Sequence, residues 1–95
     1  MKKVSYSTFT VAGMTGDFLH TEVLKSADLI ARRKDNLYLA LILGTNYNKL
    51  VRMNAHTTDG IELIEGVILA LTDEYVILKG GPKIPVCCIE EIRIY

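Results

Sequence analysis

The stretch Asp59-Gly60-Ile61-Glu62-Leu63-Ile64-Glu65-Gly66-Val67-Ile68-Leu69-Ala70-Leu71 decides the fold of this chain. It opens on Asp-Gly, the strongest short signal for a hairpin turn, because glycine reaches positive φ without a Cβ clash. A long β-prone run follows and is interrupted at Gly66, where glycine inside a strand marks a bend or bulge. Towards the N-terminus, Leu50–His56 alternates in character. Leu50, Arg52, Asn54 and His56 fall on one side, and Val51, Met53 and Ala55 on the other, so this segment pairs back on the run across the turn. Towards the C-terminus, Thr72-Asp73-Glu74 turns the chain and Tyr75–Leu78 is a strand. Lys79-Gly80-Gly81-Pro82 turns it again, Lys83–Ile89 is a strand, and Ile92–Tyr95 is a short last one. Short loops force antiparallel neighbours. A glycine-bent second strand lets a small sheet curl on itself.

Upstream the reading is helical. Leu19, Val23, Ala27, Ile30 and Ala31 share one face at helical spacing, so residues 17–34 are expected to form a helix capped by Thr15 or Asp17. Arg32-Arg33-Lys34 would then occupy its last turn, where cations complement the helix dipole; a phosphate-contacting patch is the functional alternative. Leu37–Leu43 is a continuous apolar run that reads as a buried strand, although Leu and Ala are strong helix formers. Lys3–Val11 is rich in β-branched and aromatic residues and reads as a strand or ordered arm. Gly13-Met14-Thr15-Gly16 is a turn rather than a phosphate loop, since no Gly-rich binding pattern follows. The expected fold class is mainly β: an N-terminal helix and a five-stranded, strongly bent antiparallel barrel. It forms a single domain, with residues 1–16 as an arm, 17–34 as the helix, 37–48 as an insertion and 49–95 as the barrel core.

Composition limits the function classes. The chain has 95 residues, 49% of them hydrophobic and 23% charged, which is a folding composition. Eleven Lys plus Arg balance eleven Asp plus Glu. That argues against a protein that works through a large basic field. No apolar run approaches the roughly 18 residues of a membrane span, and the residues after Met1-Lys2-Lys3 are too polar for a signal-peptide core, so a cytoplasmic location is expected. Cys87 and Cys88 are adjacent, and a bond between neighbours would strain the peptide, so both are expected to pack in a core or interface. His20 on a helix and His56 at a strand end read as surface or packing residues. Neither catalysis, a metal nor a cofactor is indicated.

Val67–Leu71, Val76–Leu78 and most of Ile84–Ile89 are apolar on both strand faces. A small barrel has one interior, so the outer face needs cover from the helix, from Leu37–Leu43 or from other subunits. Self-association follows, closing exposed strand edges into a ring.

Asp59-Gly60-Ile61-Glu62-Leu63, Glu65-Gly66-Val67-Ile68, Asp73-Glu74-Tyr75-Val76-Ile77-Leu78-Lys79 and Ile89-Glu90-Glu91-Ile92 together resemble the Sm-like family, which includes the bacterial Hfq proteins. The resemblance spans residues 49–95, and other SH3-like small barrels share much of it. It implies homo-oligomeric rings joined by pairing of the fourth strand with a neighbour's fifth, which would place Ile84, Val86, Cys88, Ile92 and Ile94 at the subunit interface. It also implies binding of single-stranded RNA in RNA metabolism, with bases stacked on Tyr75 beside Asp73 and Glu74. Lys79, Lys83, Arg32 and Arg33 would supply the cationic contacts on which RNA affinity depends. The chain departs from the family in several places: two strands carry one extra residue each against the usual glycine–glycine and glycine–Asp spacings, and the turn at Gly80–Lys83 is short. Val86-Cys87 stands where Hfq has Lys-His, and nothing matches the Arg-Gly of other members. The alternative is an oligomeric structural or protein-interaction module on the same barrel.

Overall fold

The computed structural model describes the backbone of residues 4–9 and the whole of residues 17–94. Within these, β1 (Val4–Phe9) precedes a long helix, α1 (Ala27–Tyr47). Six further strands follow: β2 (Val51–Thr57), β3 (Gly60–Gly66), β4 (Ile68–Leu71), β5 (Tyr75–Leu78), β6 (Lys83–Pro85) and β7 (Ile89–Ile94). One sheet has the order β1-β3-β2-β7 and the other β4-β5-β6. All pairings are antiparallel except β1 on β3.

The hairpin forms as its sequence dictates. Gly60 takes φ 121°, and Thr57 closes the turn with its hydroxyl, donating to the Gly60 carbonyl at 2.9 Å and accepting from the Asp59 N–H at 3.1 Å. Val51, Met53 and Ala55 point inward and are fully buried. The long run breaks where Gly66 stands: β3 ends there, and β4 begins after Val67 in the other sheet. Gly66 abuts the Leu78 side chain, so the bend brings the two sheets together over one core. Leu37, Met53, Ile64, Ile68, Val76, Ile84, Cys88 and Ile89 fill that core.

Three expectations are corrected. The helix spans Ala27–Tyr47, not 17–34. Ser26 caps it, its hydroxyl accepting from the N–H groups of Asp28 (3.1 Å) and Leu29 (3.4 Å). Residues 17–26 lie extended against β2 and the turn at Val86–Cys88 instead: Leu19 donates to the His56 carbonyl at 3.1 Å and Val23 to the Cys87 carbonyl at 3.0 Å. Their periodic apolar residues pack through tertiary hydrogen bonds that spacing does not reveal. Arg32, Arg33 and Lys34 accordingly sit in the first half of α1, and its last turn has no basic residue. Asp17 caps nothing helical. The glycine turn at residues 13–16 and Thr15 lie outside the described residues.

Second, Leu37–Leu43 is helix rather than strand and continues α1; the helical propensity of Leu and Ala prevails. Leu37, Ala40 and Gly44 share one buried face with Arg33. The helix ends at Asn48, whose φ of 55° lets its N–H return to the Gly44 carbonyl.

Third, the strand expected over Lys83–Ile89 stops at Pro85. A 3-10 turn, Val86–Cys88, separates β6 from β7, which extends over Ile89–Ile94 rather than Ile92–Tyr95. Pro85 has no N–H to continue the ladder. The sheets meet over a shared core, but no continuous strand ladder closes them into a barrel.

Candidate functional site

The site grows from the Thr72–Tyr75 turn. The Thr72 hydroxyl accepts from the N–H groups of Tyr75 (2.9 Å) and Glu74 (3.2 Å), which holds Asp73 and Glu74 exposed at the tip. Val86 N–H donates to the Glu74 carbonyl at 2.8 Å and ties this turn to the end of β6. Opposite pairs in an antiparallel ladder share a face. Tyr75 pairs with Pro85, Ile77 with Lys83 and Val76 with Ile84. Ile84 and Val76 are buried on one face; Tyr75, Ile77 and Lys83 share the opposite face with Pro85, which is buried there. There the Lys83 ammonium lies 4.9 Å from the centre of the Tyr75 ring, within cation–π range.

The extended segment 17–26 forms the facing wall. Phe18 bridges to Thr57, and Asp17 accepts from the Thr58 N–H at 2.9 Å, fixing this segment beside β2. Three concavities follow one another between the walls. One of about 180 Å³ lies against α1 at Leu37 and Tyr38. It shares Arg33, Asp73 and Val86 with a second, of about 320 Å³. The second shares His20, Tyr75 and Pro85 with a third, of about 450 Å³, which ends at Asp17, Phe18 and Lys83. The shared residues make this one groove.

Arg33 anchors its middle. The side chain is 6% exposed. One terminal nitrogen donates to Glu22 at 2.7 Å and to the Ile89 carbonyl at 3.1 Å, and the other meets the second Glu22 oxygen. The Arg33 guanidinium holds the Glu22 carboxyl below its ordinary value of 4.5. Elsewhere, His56 is buried with its Nε2 3.1 Å from Glu90. The Cys88 thiol donates to the Pro85 carbonyl at 3.2 Å, and burial, with Cys87 adjacent, pushes it up to about 12. Among the described residues no three His, Cys, Asp or Glu side chains are grouped to hold a metal.

The residues expected to form a site are therefore only partly assembled. Asp73, Glu74, Tyr75, Lys83 and Arg33 line the groove. Arg33 is consumed by Glu22 and is no phosphate ligand. Arg32 is exposed on α1, away from the groove lining, and Lys79 donates to the Asn48 side chain at 3.1 Å. Of the expected interface residues, Ile84 and Cys88 are fully buried and Ile92 is 8% exposed, so all three belong to the monomer's own core. Val86 and Ile94 are half-buried against it. Asp17, Phe18, His20 and Glu22 were not expected in a site. Assigning them to a helix concealed them; the pairing of Ser26 with Asp28, a helix-start signal, was the clue.

Comparisons with family models, curated proteins and solved structures find no match.

Proposed function

We propose that this chain is a non-catalytic interaction module on a small Sm-like or SH3-like half-open barrel, which self-associates and binds a protein partner along the Tyr75 groove. The observation that carries this reading is the charge of the groove. Asp17, Glu22, Asp73 and Glu74 line it together with Arg33, Lys34 and Lys83, and Arg33 is already neutralised by Glu22. A phosphate backbone needs several uncommitted cations along its path. A protein segment needs apolar and aromatic surface with scattered polar groups of both signs. The barrel assignment is supported by the strand path β7-β2-β3, then a bend at Gly66 into β4-β5-β6, beneath a preceding helix. Self-association is supported by Leu39 and Ile42 of α1, which stand 48% and 54% exposed. The edges of β6 and β7 add to it, each being paired on one side only among the described strands.

A second reading, an RNA-binding ring, is favoured by one observation. Tyr75 follows the Asp73 turn, is half-exposed, and carries Lys83 beside its ring. This is an aromatic platform with a cation at hand.

One experiment separates the two. Light scattering gives the mass of the chain alone and with U-rich and A-rich oligonucleotides over a salt titration. A multiple of the 10.6 kDa chain mass, unchanged by oligonucleotide at low salt, is the expected result. Salt-sensitive binding that Tyr75→Ala abolishes would replace the protein-binding reading with the RNA ring.

A further inference from the structure

We propose that the Phe18–Tyr75 end of the groove is a cage for an alkylammonium group, the side chain of a lysine or methylated lysine on an extended partner segment. This deepens the protein-binding reading and rests on it. The cavity there, about 450 Å³, is lined by Phe18, Tyr75, His20 and Pro85 together with Asp17 and Lys83. Aromatic faces carry negative potential and attract cations, most strongly where a carboxylate adds to the field.

The site already holds such a group. The Lys83 ammonium rests 4.9 Å from the Tyr75 ring centre. Lys83 is exposed and starts a strand of three residues. Its flexible four-carbon stem can rotate the ammonium away from the ring, whose present occupant marks where an incoming ammonium would lie. Lys83 acts as the resident occupant that a partner's lysine displaces.

Charge selects the ligand. Lys83 is the one lysine or arginine lining this cavity, against Asp17 within it; the adjoining stretch carries Asp73 and Glu74, with Arg33 there paired to Glu22. An anionic ligand would meet those carboxylates; with Lys83 displaced, a cation would meet them without competition. Asp17 and His20 are the only metal-ligating side chains of this cavity, and among the described residues no third gathers with them, so an organic cation is the better-matching class. The groove continues past Pro85 and Val86, so an extended segment has room for the residues beside its lysine.

The test is a titration of the isotope-labelled full chain, followed by amide NMR shifts. The probes are three pentapeptides that are identical except at the centre: lysine, trimethyllysine, and a neutral isostere with a tert-butyl head. Saturable shifts at Phe18, Tyr75 and Lys83 are expected, with both ammonium peptides at least tenfold tighter than the isostere. Tyr75→Ala should weaken them tenfold or more while Tyr75→Phe retains them. Lys83→Met should tighten them several-fold by removing the resident ammonium, a gain that loss of folding cannot mimic. Equal binding of the isostere, weaker binding by Lys83→Met, or no saturable shift in either protein overturns the cage. Peptide shifts confined to the Leu37–Tyr38 end overturn the cage alone and leave the protein-binding reading standing. Shifts at Tyr75 from a U-rich oligonucleotide in place of the peptides overturn both.

Discussion

Gly44 of α1 lies directly against the backbone carbonyl of Ile68 in β4, with no space between them for a methyl group. The helix is seated on the sheet through this contact. Exposed helical glycine is usually improved by alanine, by about 1 kcal/mol. Here the added Cβ would strike backbone, which cannot yield as a flexible side chain does. Gly44→Ala should therefore lower stability by about 2 kcal/mol or more, measured by urea unfolding. A neutral or stabilising result would show that α1 does not rest on β4 at this point.

The Glu22–Arg33 pair predicts a pH dependence. Its carboxyl titrates below 4.5 in the folded chain because Arg33 donates to it. The pair thus contributes stability above that value, and the contribution is lost as pH falls through the folded value. Unfolding free energy measured from pH 7 down to pH 3 should decline more steeply for the native chain than for Glu22→Gln. At pH 7 the same substitution should cost about 2 kcal/mol, because it leaves a buried guanidinium without its counter-charge. Parallel pH profiles would refute the coupling.

The adjacent cysteines should react differently. Cys88 is fully buried, hydrogen-bonded to Pro85, and titrates near 12, so at pH 8 it is almost wholly the unreactive thiol. Cys87 is half-buried on the groove. Iodoacetamide at pH 8 should add one carbamidomethyl group to the native chain, at Cys87, and two after denaturation, as mass spectrometry would read. Rapid double labelling of the native chain would contradict the buried position of Cys88.

Ser26→Ala removes the acceptor for two amide N–H groups at the start of α1. A loss of about 1 kcal/mol is expected, with fraying of residues 27–29 visible in carbon chemical shifts. Thr15→Ala and Asp17→Ala should leave those shifts unchanged. Fraying caused by Asp17→Ala would place the helix start upstream.

Local chemistry made much of the β-structure legible. Asp59-Gly60 and the alternation of Val51, Met53 and Ala55 name the hairpin and the two faces of its first strand, because turn geometry and strand period act over a few residues. The break at Gly66 and the strand at Tyr75–Leu78 were legible for the same reason. Asp73, Glu74, Tyr75 and Lys83 were singled out only by the resemblance to Sm-like proteins, as RNA contacts; that they line one groove is a fact of the tertiary structure.

The rest depended on partners distant in sequence. Leu19 and Val23 have helical spacing, yet their N–H groups bond to His56 and Cys87, so the segment is extended. Leu37–Leu43 suits strand or helix alone; the close fit of Gly44 on β4 goes with helix. Arg33 looks like a surface cation in sequence. Only the tertiary structure buries it with Glu22 and thereby removes it from any phosphate site. The sequence by itself determined the hairpin at Asp59-Gly60, the break at Gly66, the strand at Tyr75–Leu78 and the balanced charge, since each is a property of neighbours or of composition. Tertiary structure decided where the helix begins and which residues face the groove. It also decided which cations remain available, because those outcomes depend on hydrogen-bond and ion-pair partners that lie far along the chain.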